Sequence, residues 1–267
     1  MTILESVLLG AIQGIAEFLP ISSSGHLALA GYFMKLNNVP ILFDICLHVA
    51  TLAAVCIVFR KQLGKLFCVL GRFIIRKPAD DDGPGQKTIL ALLIATAATG
   101  IIGFAIKDVA ENLSPFFIAC CLVVTGVLLL FSGRYQPKSA KAVPGPVQAL
   151  IIGIAQGIGV LPGISRSGST IAASLFTGID RKNAGEFSFL LSIPAILAAF
   201  ILELKDADTL MGSVTVLPLL IGMITAFVVG YFSLKFLLGV INRGKLGWFA
   251  LYLIPAGITL AIIFAVR

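Results

Sequence analysis

The chain has 267 residues, of which 58% are hydrophobic and only 12% are charged. A soluble domain carries about 25% charged residues, so this composition excludes an ordinary soluble globular protein. Several uncharged stretches have the roughly 20 residues that a helix needs to cross a bilayer, and the strict alternation of a membrane barrel is absent. We therefore predict an all-α integral membrane protein.

Eight apolar regions follow one another along the chain, and six of them are long enough to be complete membrane spans. These predicted spans cover residues 41–59, 88–106, 114–132, 187–202, 214–238 and 246–265. The other two regions, 3–34 and 147–177, are each interrupted by a turn rich in Pro, Ser and Gly. Neither half of such a region can cross alone, so we predict two re-entrant helix-turn-helix hairpins, whose turns must be surrounded by protein or a polar cavity.

The charges of the connecting loops orient these segments. Three loops rich in Lys and Arg are predicted to be cytoplasmic, and they cover residues 60–87, 133–146 and 239–247. Loops 107–113 and 203–213 are predicted to lie outside, which places both termini outside as well. Within the first basic loop, residues 63–75 mix apolar and basic side chains and are predicted to form an amphipathic helix along the membrane surface.

The net charge of +7 is also typical of proteins that bind nucleic acid. Here the basic residues lie in short loops between apolar segments, as membrane topology requires. We therefore predict no nucleic-acid partner and contact with membrane lipid. A homodimer is compatible with the sequence.

The sequence repeats itself. Gln13-Gly-Ile15 recurs as Gln156-Gly-Ile158, and Ser24-Gly25 recurs at the same offset as Ser167-Gly168. Each half contains one hairpin and three spans, and an odd number of spans places the second half upside down relative to the first. We predict one membrane domain, 1–267, made of inverted repeats of about 1–135 and 145–267, with the two polar turns meeting near the midplane.

Ionisable residues at membrane depth are functional candidates because burying them is costly. Arg166 is the strongest candidate, since hydroxyls and backbone N–H groups surround it where a helix is predicted to begin. These neighbours are Ser165, Ser167, Gly168, Ser169 and Thr170. A helix N-terminus and an arginine fork both favour phosphate, so we predict an anion site. The alternative is a structural pairing of Arg166 with a carboxylate.

The first hairpin supplies a second polar cluster. Gln13 and Glu17 lie one helical turn apart, so their oxygens could hold a divalent cation together with phosphate. His26 follows the serine run 22–24 and is a candidate general acid or base, although a lone buried histidine is often structural. Asp44 and His48 are also one turn apart, and they either line the same cavity or form a structural pair.

At these two turns the sequence resembles the undecaprenyl-diphosphate phosphatase family, which is also known for bacitracin resistance. The resemblance rests on Gln13-Gly-Ile-Ala-Glu-Phe-Leu-Pro-Ile-Ser-Ser-Ser-Gly-His26 and Leu161-Pro-Gly-Ile-Ser-Arg-Ser-Gly-Ser-Thr170 and extends over nearly the whole chain. It implies hydrolysis of undecaprenyl diphosphate to the monophosphate carrier used in cell-wall synthesis. The implied location is the bacterial cytoplasmic (inner) membrane, with the active site open to the outer face.

The resemblance also implies roles for individual residues. The implied catalytic residues are Glu17, Ser23, His26 and Arg166. The implied diphosphate-binding residues are Ser22, Ser165, Arg166, Ser167, Gly168, Ser169 and Thr170. A divalent cation, Mg²⁺ or Ca²⁺, is expected on Glu17 and Gln13, and because Gln13 replaces a carboxylate found in many relatives, the diphosphate must complete its ligands.

Two questions stay open from the sequence. The nucleophile is either Ser23, which would give a phosphoenzyme, or a water activated by Glu17 or His26. The rival function is a flippase for polyprenyl phosphate, because an inverted repeat with a buried anion site is equally typical of transporters.

Overall fold

A computed structural model describes residues 2–33, 41–77, 79–136, 140–203 and 215–266. Regular structure in these ranges is helical, apart from one isolated bridge between Lys141 and Ile179. The predicted all-α class is therefore confirmed.

The helices of the first half begin with two short ones, continue with longer apolar ones, and include one with mixed apolar and basic residues. They are α1 (Ile3–Ala16), α2 (Ser23–Phe33), α3 (Ile41–Val58), α4 (Arg60–Ile74), α5 (Gly83–Ala105), α6 (Lys107–Glu111) and α7 (Pro115–Arg134). The second half again begins with two short helices. Its helices are α8 (Pro146–Ile158), α9 (Arg166–Phe176), α10 (Arg181–Glu203), α11 (Val216–Asn242) and α12 (Ala250–Ala265), the last preceded by a 3-10 helix, Leu246–Phe249.

Five helical segments of the described chain are long and apolar enough to cross a membrane, which confirms a multi-pass membrane protein. They are Gly83–Ala105, Pro115–Arg134, Arg181–Ile201, Val216–Asn242 and Leu246–Ala265. The predicted span 41–59 corresponds to α3, which reaches this standard only together with α4, and the two are bent by 81°. The described chain therefore contains five or six membrane-span candidates, and six if the bent pair counts as one, as predicted.

Other boundaries also differ from the prediction. Helix α10 begins at Arg181 rather than 187, and α11 extends to Asn242 rather than 238. The predicted loop 107–113 contains the short helix α6. Most of the predicted loop 203–213 lies outside the described residues.

The two interrupted regions both have the predicted shape of helix, turn and helix. Helices α1, α2, α8 and α9 contain 14, 11, 13 and 11 residues. Their lengths of about 16 to 21 Å are shorter than the roughly 30 Å hydrocarbon core. Pro20 and Pro162 stand in the two turns, and the Ser165 hydroxyl caps α9 by accepting from the Gly168 N–H at 3.1 Å.

Small residues let these short helices approach the long ones closely. Helix α1 packs along α11, and helix α8 packs along α5. A Cβ atom added at Gly14 would lie 2.8 Å from the carbonyl oxygen of Ala226, and one added at Gly153 would lie even closer to the carbonyl oxygen of Ala95. The Thr99 hydroxyl also donates to the carbonyl oxygen of Gly153 at 3.0 Å. Close backbone contact of this kind holds helices together in lipid, where apolar side chains gain little from association.

The predicted amphipathic helix at 63–75 is present as α4, and it begins slightly earlier, at Arg60. Phe67 and Phe73 are exposed on it, whereas Val69 is buried. Arg72 near its end forms an ion pair with the buried carboxylate of Asp82. Its location along the membrane surface stays a prediction.

Candidate active site

The two polar turns meet each other, as predicted, and Ser22 joins them. Its hydroxyl accepts a hydrogen bond from the Gly163 N–H at 3.0 Å and a longer one from the Gly25 N–H at 3.3 Å. Ser22 is buried and has a φ of 73°, a left-handed conformation that is uncommon for serine. A strained residue at the junction of two turns is a common feature of functional sites.

Gly163 is the residue with a left-handed backbone in the second turn. Its φ is 93°, and an added Cβ atom would lie 2.6 Å from Cβ of Cys121, so only glycine fits there. Thr125 fixes this turn from α7, because its hydroxyl donates to the Gly163 carbonyl at 2.9 Å and accepts from the Ser165 N–H at 3.1 Å.

An ion pair between Glu17 and Arg166 forms the centre of the site. Arg166, the first residue of α9, donates to Oε1 of Glu17, the residue that follows α1. The other carboxylate oxygen, Oε2, accepts from the Ser23 hydroxyl at 2.8 Å and from the Gln13 amide at 3.1 Å. The carboxylate is almost fully buried, and burial of a charge requires such partners. The pairing of Arg166 with a carboxylate is thus present, and that carboxylate belongs to the predicted site.

A cavity of about 290 Å³ opens in front of this ion pair. Six of the predicted site residues line it, and these are Glu17, Ser22, Ser23, Ser165, Arg166 and Ser167. Further polar lining comes from Ser24, Asp44 and His48, and apolar lining includes Ile45 and Ile196. The cavity therefore combines a wall of hydroxyls and charges with an apolar wall, which suits a phosphorylated lipid.

His48 is the histidine that touches the centre of the site. Its Nδ1 lies 3.3 Å from Oε2 of Glu17 and 2.9 Å from Nε2 of Gln13. Its Nε2 lies 4.0 Å from the carboxylate of Asp44. The sequence left open whether this pair lines the cavity or forms a structural contact. Both are observed, because Asp44 and His48 contact each other and both line the cavity.

His26 lies elsewhere, outside the residues that line the cavity. Its Nδ1 is 2.8 Å from the Ser22 carbonyl, which can only accept, so Nδ1 carries the proton. Its Nε2, 2.7 Å from the Tyr252 hydroxyl, is then the acceptor. This arrangement makes His26 a support for the Ser22 turn, and its implied role as an acid or base stays a prediction.

The remaining implied diphosphate ligands face the protein interior. Gly168, Ser169 and Thr170 do not line the cavity. Thr170 donates to the Arg166 carbonyl at 3.0 Å and so steadies the first turn of α9. Among the residues of the anion motif, the structure thus brings only 165–167 to the cavity.

The residues fit a divalent cation only if a ligand supplies further oxygens. The buried amide oxygen of Gln13 has no hydrogen-bond partner, and it belongs to a side chain in contact with Glu17. No three His, Cys, Asp or Glu side chains of the described chain are grouped to hold a metal. Mg²⁺ is commonly bound by one or two carboxylates together with phosphate oxygens, which this pair of residues allows.

Known proteins resemble this chain over nearly its whole length. The family described as "Bacitracin resistance protein BacA" matches residues 6–259, which include both turns and the whole cavity. The chain belongs to this family. A protein named "Undecaprenyl-diphosphatase" from Treponema denticola is 59% identical over 99% of this chain and 98% of its own length. Proteins of the same name from Desulfatibacillum aliphaticivorans and Desulfosudis oleivorans are 43% and 42% identical, each over 97% of this chain and 98% of the relative.

Family membership confirms the resemblance that the two motifs carried. Two supporting residues were missed by the sequence analysis, namely Thr125 and Tyr252. Thr125 carried a usable signal, because it is a polar residue near the middle of the predicted span 114–132. Tyr252 carried none, since its contact with His26 joins residues 226 positions apart.

Proposed function

We propose that this protein hydrolyses undecaprenyl diphosphate to undecaprenyl phosphate and inorganic phosphate, which recycles the lipid carrier for cell-wall synthesis. The observation that carries the proposal is the Glu17–Arg166 ion pair in a cavity with one hydroxyl-rich wall and one apolar wall. Relatives named for this activity align with nearly the entire chain. Their names favour the phosphatase over the flippase, which receives no support from them.

Arg166 would bind the diphosphate by exchanging partners. In the structure one terminal nitrogen of its guanidinium donates to Glu17, and a phosphate can take over this donor and accept from others of the fork. Ser165 and Ser167 line the same cavity at the N-terminus of α9. Together these groups would stabilise the charge that develops on the transferred phosphoryl group.

The contact between Ser23 and Glu17 supports Ser23 as the nucleophile. A hydroxyl that donates to a carboxylate at 2.8 Å is placed to lose its proton as it attacks. The Ser23 oxygen would bond to the terminal phosphorus, Glu17 would take the proton, and undecaprenyl phosphate would leave. Water would then hydrolyse the phosphoserine and release inorganic phosphate.

A divalent cation is part of this proposal. Glu17 and Gln13 would hold it, since the Gln13 amide oxygen is buried without a partner. When bound, the cation neutralises diphosphate charge and so acts as a Lewis acid.

The packing of the helices supports the proposed inverted repeat of about 1–135 and 145–267. The contact of α1 with α11 has a counterpart in the contact of α8 with α5, and α3 packs on α10 as α7 packs on α12. An inverted repeat predicts these pairings, because each contact between the two halves should recur with the equivalent helices exchanged. They support two re-entrant hairpins within one domain, 1–267.

The lining of the cavity supports an opening toward the outer face of the cytoplasmic membrane. Ala199 and Phe200 line it, and they lie near the end of α10 that leads to the predicted outer loop. Asp44, in the first turn of α3, belongs to the same predicted side. Under the loop-charge rule both termini then also lie outside.

Release of inorganic phosphate from undecaprenyl diphosphate tests the function directly. The detergent-purified protein is assayed with Mg²⁺, with Ca²⁺ and with a chelator. We expect cation-dependent release that falls by a factor of about 100 or more in Arg166→Ala, because the main partner of the developing charge is lost. Arg243→Ala, which removes an arginine outside the cavity, should be unchanged. Near-normal turnover in Arg166→Ala would show that the site is misplaced.

The nucleophile is tested separately with Ser23→Ala. If Ser23 forms a phosphoenzyme, this variant releases no phosphate above background, and the wild-type protein quenched in acid carries phosphate on Ser23. Full activity in Ser23→Ala would exclude this role and favour an activated water.

A further inference from the structure

A second cavity, of about 430 Å³, lies between the N-terminal ends of α5 and α8, apart from the Glu17–Arg166 site. Helix α5 contributes Lys87, Leu90 and Ile94 to its walls, and the segment before α8 contributes Lys141 and residues 143–146. It shares no lining residue with the proposed catalytic cavity.

The charge of this cavity is positive. Lys87 and Lys141 both line it, no acidic residue of the described chain does, and neither lysine forms an ion pair within the described ranges. Gln148 is engaged elsewhere, since its amide accepts from the Gly145 N–H at 2.8 Å and donates to the Thr177 carbonyl at 2.5 Å. Gln148 therefore orders the wall, and the two ammonium groups are left for a ligand.

The apolar side of the cavity continues along the surface of the helices. Leu90 and Leu93 are exposed on α5, and Val147 and Ile151 are exposed on α8. Lys87 is the last charged residue of α5 before an apolar run to its end. The boundary between headgroups and acyl chains is thus expected at the level of Lys87.

We propose that this cavity binds the phosphate headgroup of an anionic phospholipid, whose acyl chains lie along the exposed faces of α5 and α8. Basic pockets between membrane helices bind anionic headgroups, and the continuous apolar wall favours a lipid over a soluble phosphate. Such a lipid would bridge α5 and α8, the pair whose close contact supports the second turn of the active site.

Native mass spectrometry of the detergent-purified protein, titrated with phosphatidylglycerol or phosphatidylcholine, tests the proposal. We expect the wild type to bind phosphatidylglycerol more tightly, and the double variant Lys87→Gln with Lys141→Gln to bind it about 30-fold more weakly, on the order of 1 kcal/mol for each lysine near a headgroup. Phosphatidylcholine binding should be equal in both proteins. Equal binding of the two lipids by the wild type, or unchanged phosphatidylglycerol binding by the variant, would overturn the proposal.

Matched variants distinguish binding at this cavity from the general attraction between a basic protein and an anionic lipid. The double variant Lys61→Gln with Lys65→Gln removes the same charge from α4 and should keep the tight phosphatidylglycerol adduct, as should Lys87→Arg with Lys141→Arg. A loss in the α4 variant as large as in the cavity variant would contradict a defined site. Phosphate release should stay normal in the cavity variant, which shows that it is folded. Displacement of the bound lipid by excess inorganic phosphate would assign the cavity to a soluble anion and overturn the lipid proposal.

Discussion

The hydroxyl of Ser22 accepts a hydrogen bond from the Gly163 N–H, 3.0 Å away, and this bond joins the two turns that build the active site. The same residue has a φ of 73°, a conformation that costs a residue with a side chain about 1–2 kcal/mol. Glycine would adopt this backbone conformation without strain, but it has no hydroxyl and could not make the contact. Ser22 thus stabilises the junction of the two turns while its own backbone conformation is unfavourable.

We predict that Ser22→Ala lowers the free energy of unfolding by about 2 kcal/mol, because two backbone N–H groups lose their acceptor. Ser22→Gly loses the same bonds but relieves the strained φ, so it should be less destabilised than the alanine variant. Reversible unfolding in mixed detergent measures both.

Ser24→Ala serves as the control for this comparison. The hydroxyl of Ser24 makes only a long contact of 3.5 Å with that of Ser22, so its loss should change the stability little. The idea that Ser22 ties the turns together is wrong if Ser22→Ala is as stable as Ser24→Ala.

The chain of contacts from Tyr252 through His26 to Ser22 gives a second prediction. Tyr252→Phe removes only the donor to Nε2 of His26, so His26 should turn more freely and hold Ser22 less firmly. We expect kcat to fall about tenfold, the effect of one hydrogen bond of about 1–1.5 kcal/mol, while KM stays nearly constant. Steady-state phosphate release measures both constants.

Tyr231→Phe is the matched control, because the hydroxyl it removes makes no contact with the site and its ring keeps the cation–π contact with Lys235. It should leave both constants unchanged. Wild-type kcat in Tyr252→Phe would show that the Tyr252 contact does not position His26.

Much of the fold follows from local features of the sequence. The helix-turn-helix shape of 3–34 and 147–177 was predictable because prolines and serines interrupt apolar stretches too short to cross twice. The bend between α3 and α4, which is 81° in the structure, also follows from the sequence, because a span at 41–59 and a helix along the membrane surface at 63–75 cannot be collinear. The start of α4 at Arg60 could not be placed, since no Pro, Gly or side-chain cap marks Phe59.

The sequence predicts that the two polar turns meet, but not which of their side chains pair. Glu17 was assigned to a cation and Arg166 to a phosphate, and their mutual ion pair required the relative placement of the two turns. The two turns carry different residues at equivalent positions of the repeat. Val160 stands at the position equivalent to Glu17, and Ser23 stands at the position equivalent to Arg166. One turn thus supplies the carboxylate and the other the guanidinium, and neither is sufficient alone.

The buried carboxylate of Asp82 fixes the end of α4, and this gives a third prediction. Hydrogen bonds from Arg72, one of 2.9 Å through Nε, hold the pKa of Asp82 below its usual range, and the Ala79 N–H adds to this. A depressed pKa means that the stabilisation is complete above the unfolded value near 4 and is lost as the pH falls through the folded value. At neutral pH, Asp82→Asn should therefore loosen the segment that follows α4, and tryptic cleavage after Arg76 should become severalfold faster.

The exposed neighbour Asp81 supplies the control for that experiment. Asp81→Asn changes the net charge equally but removes no contact made by Asp82, so its cleavage rate should match the wild type. Equal acceleration in the two variants would assign the effect to net charge instead of the Arg72–Asp82 pair.

The close contact of α8 with α5 gives a fourth prediction, in which two glycines respond in opposite directions. An added Cβ atom at Gly153 would lie 2.7 Å from Cα of Ala95, and backbone cannot move aside as a flexible side chain can. We expect Gly153→Ala to lower stability by about 1–3 kcal/mol and to reduce phosphate release, because α8 leads directly into the second turn of the site. Gly100 lies on α5, and no atom lies within 4 Å of a Cβ atom added there. Gly100→Ala should therefore stabilise that helix by about 0.5–1 kcal/mol. Melting temperatures in one detergent decide between these outcomes, and a rise in both variants would mean that helix propensity outweighs packing between α5 and α8.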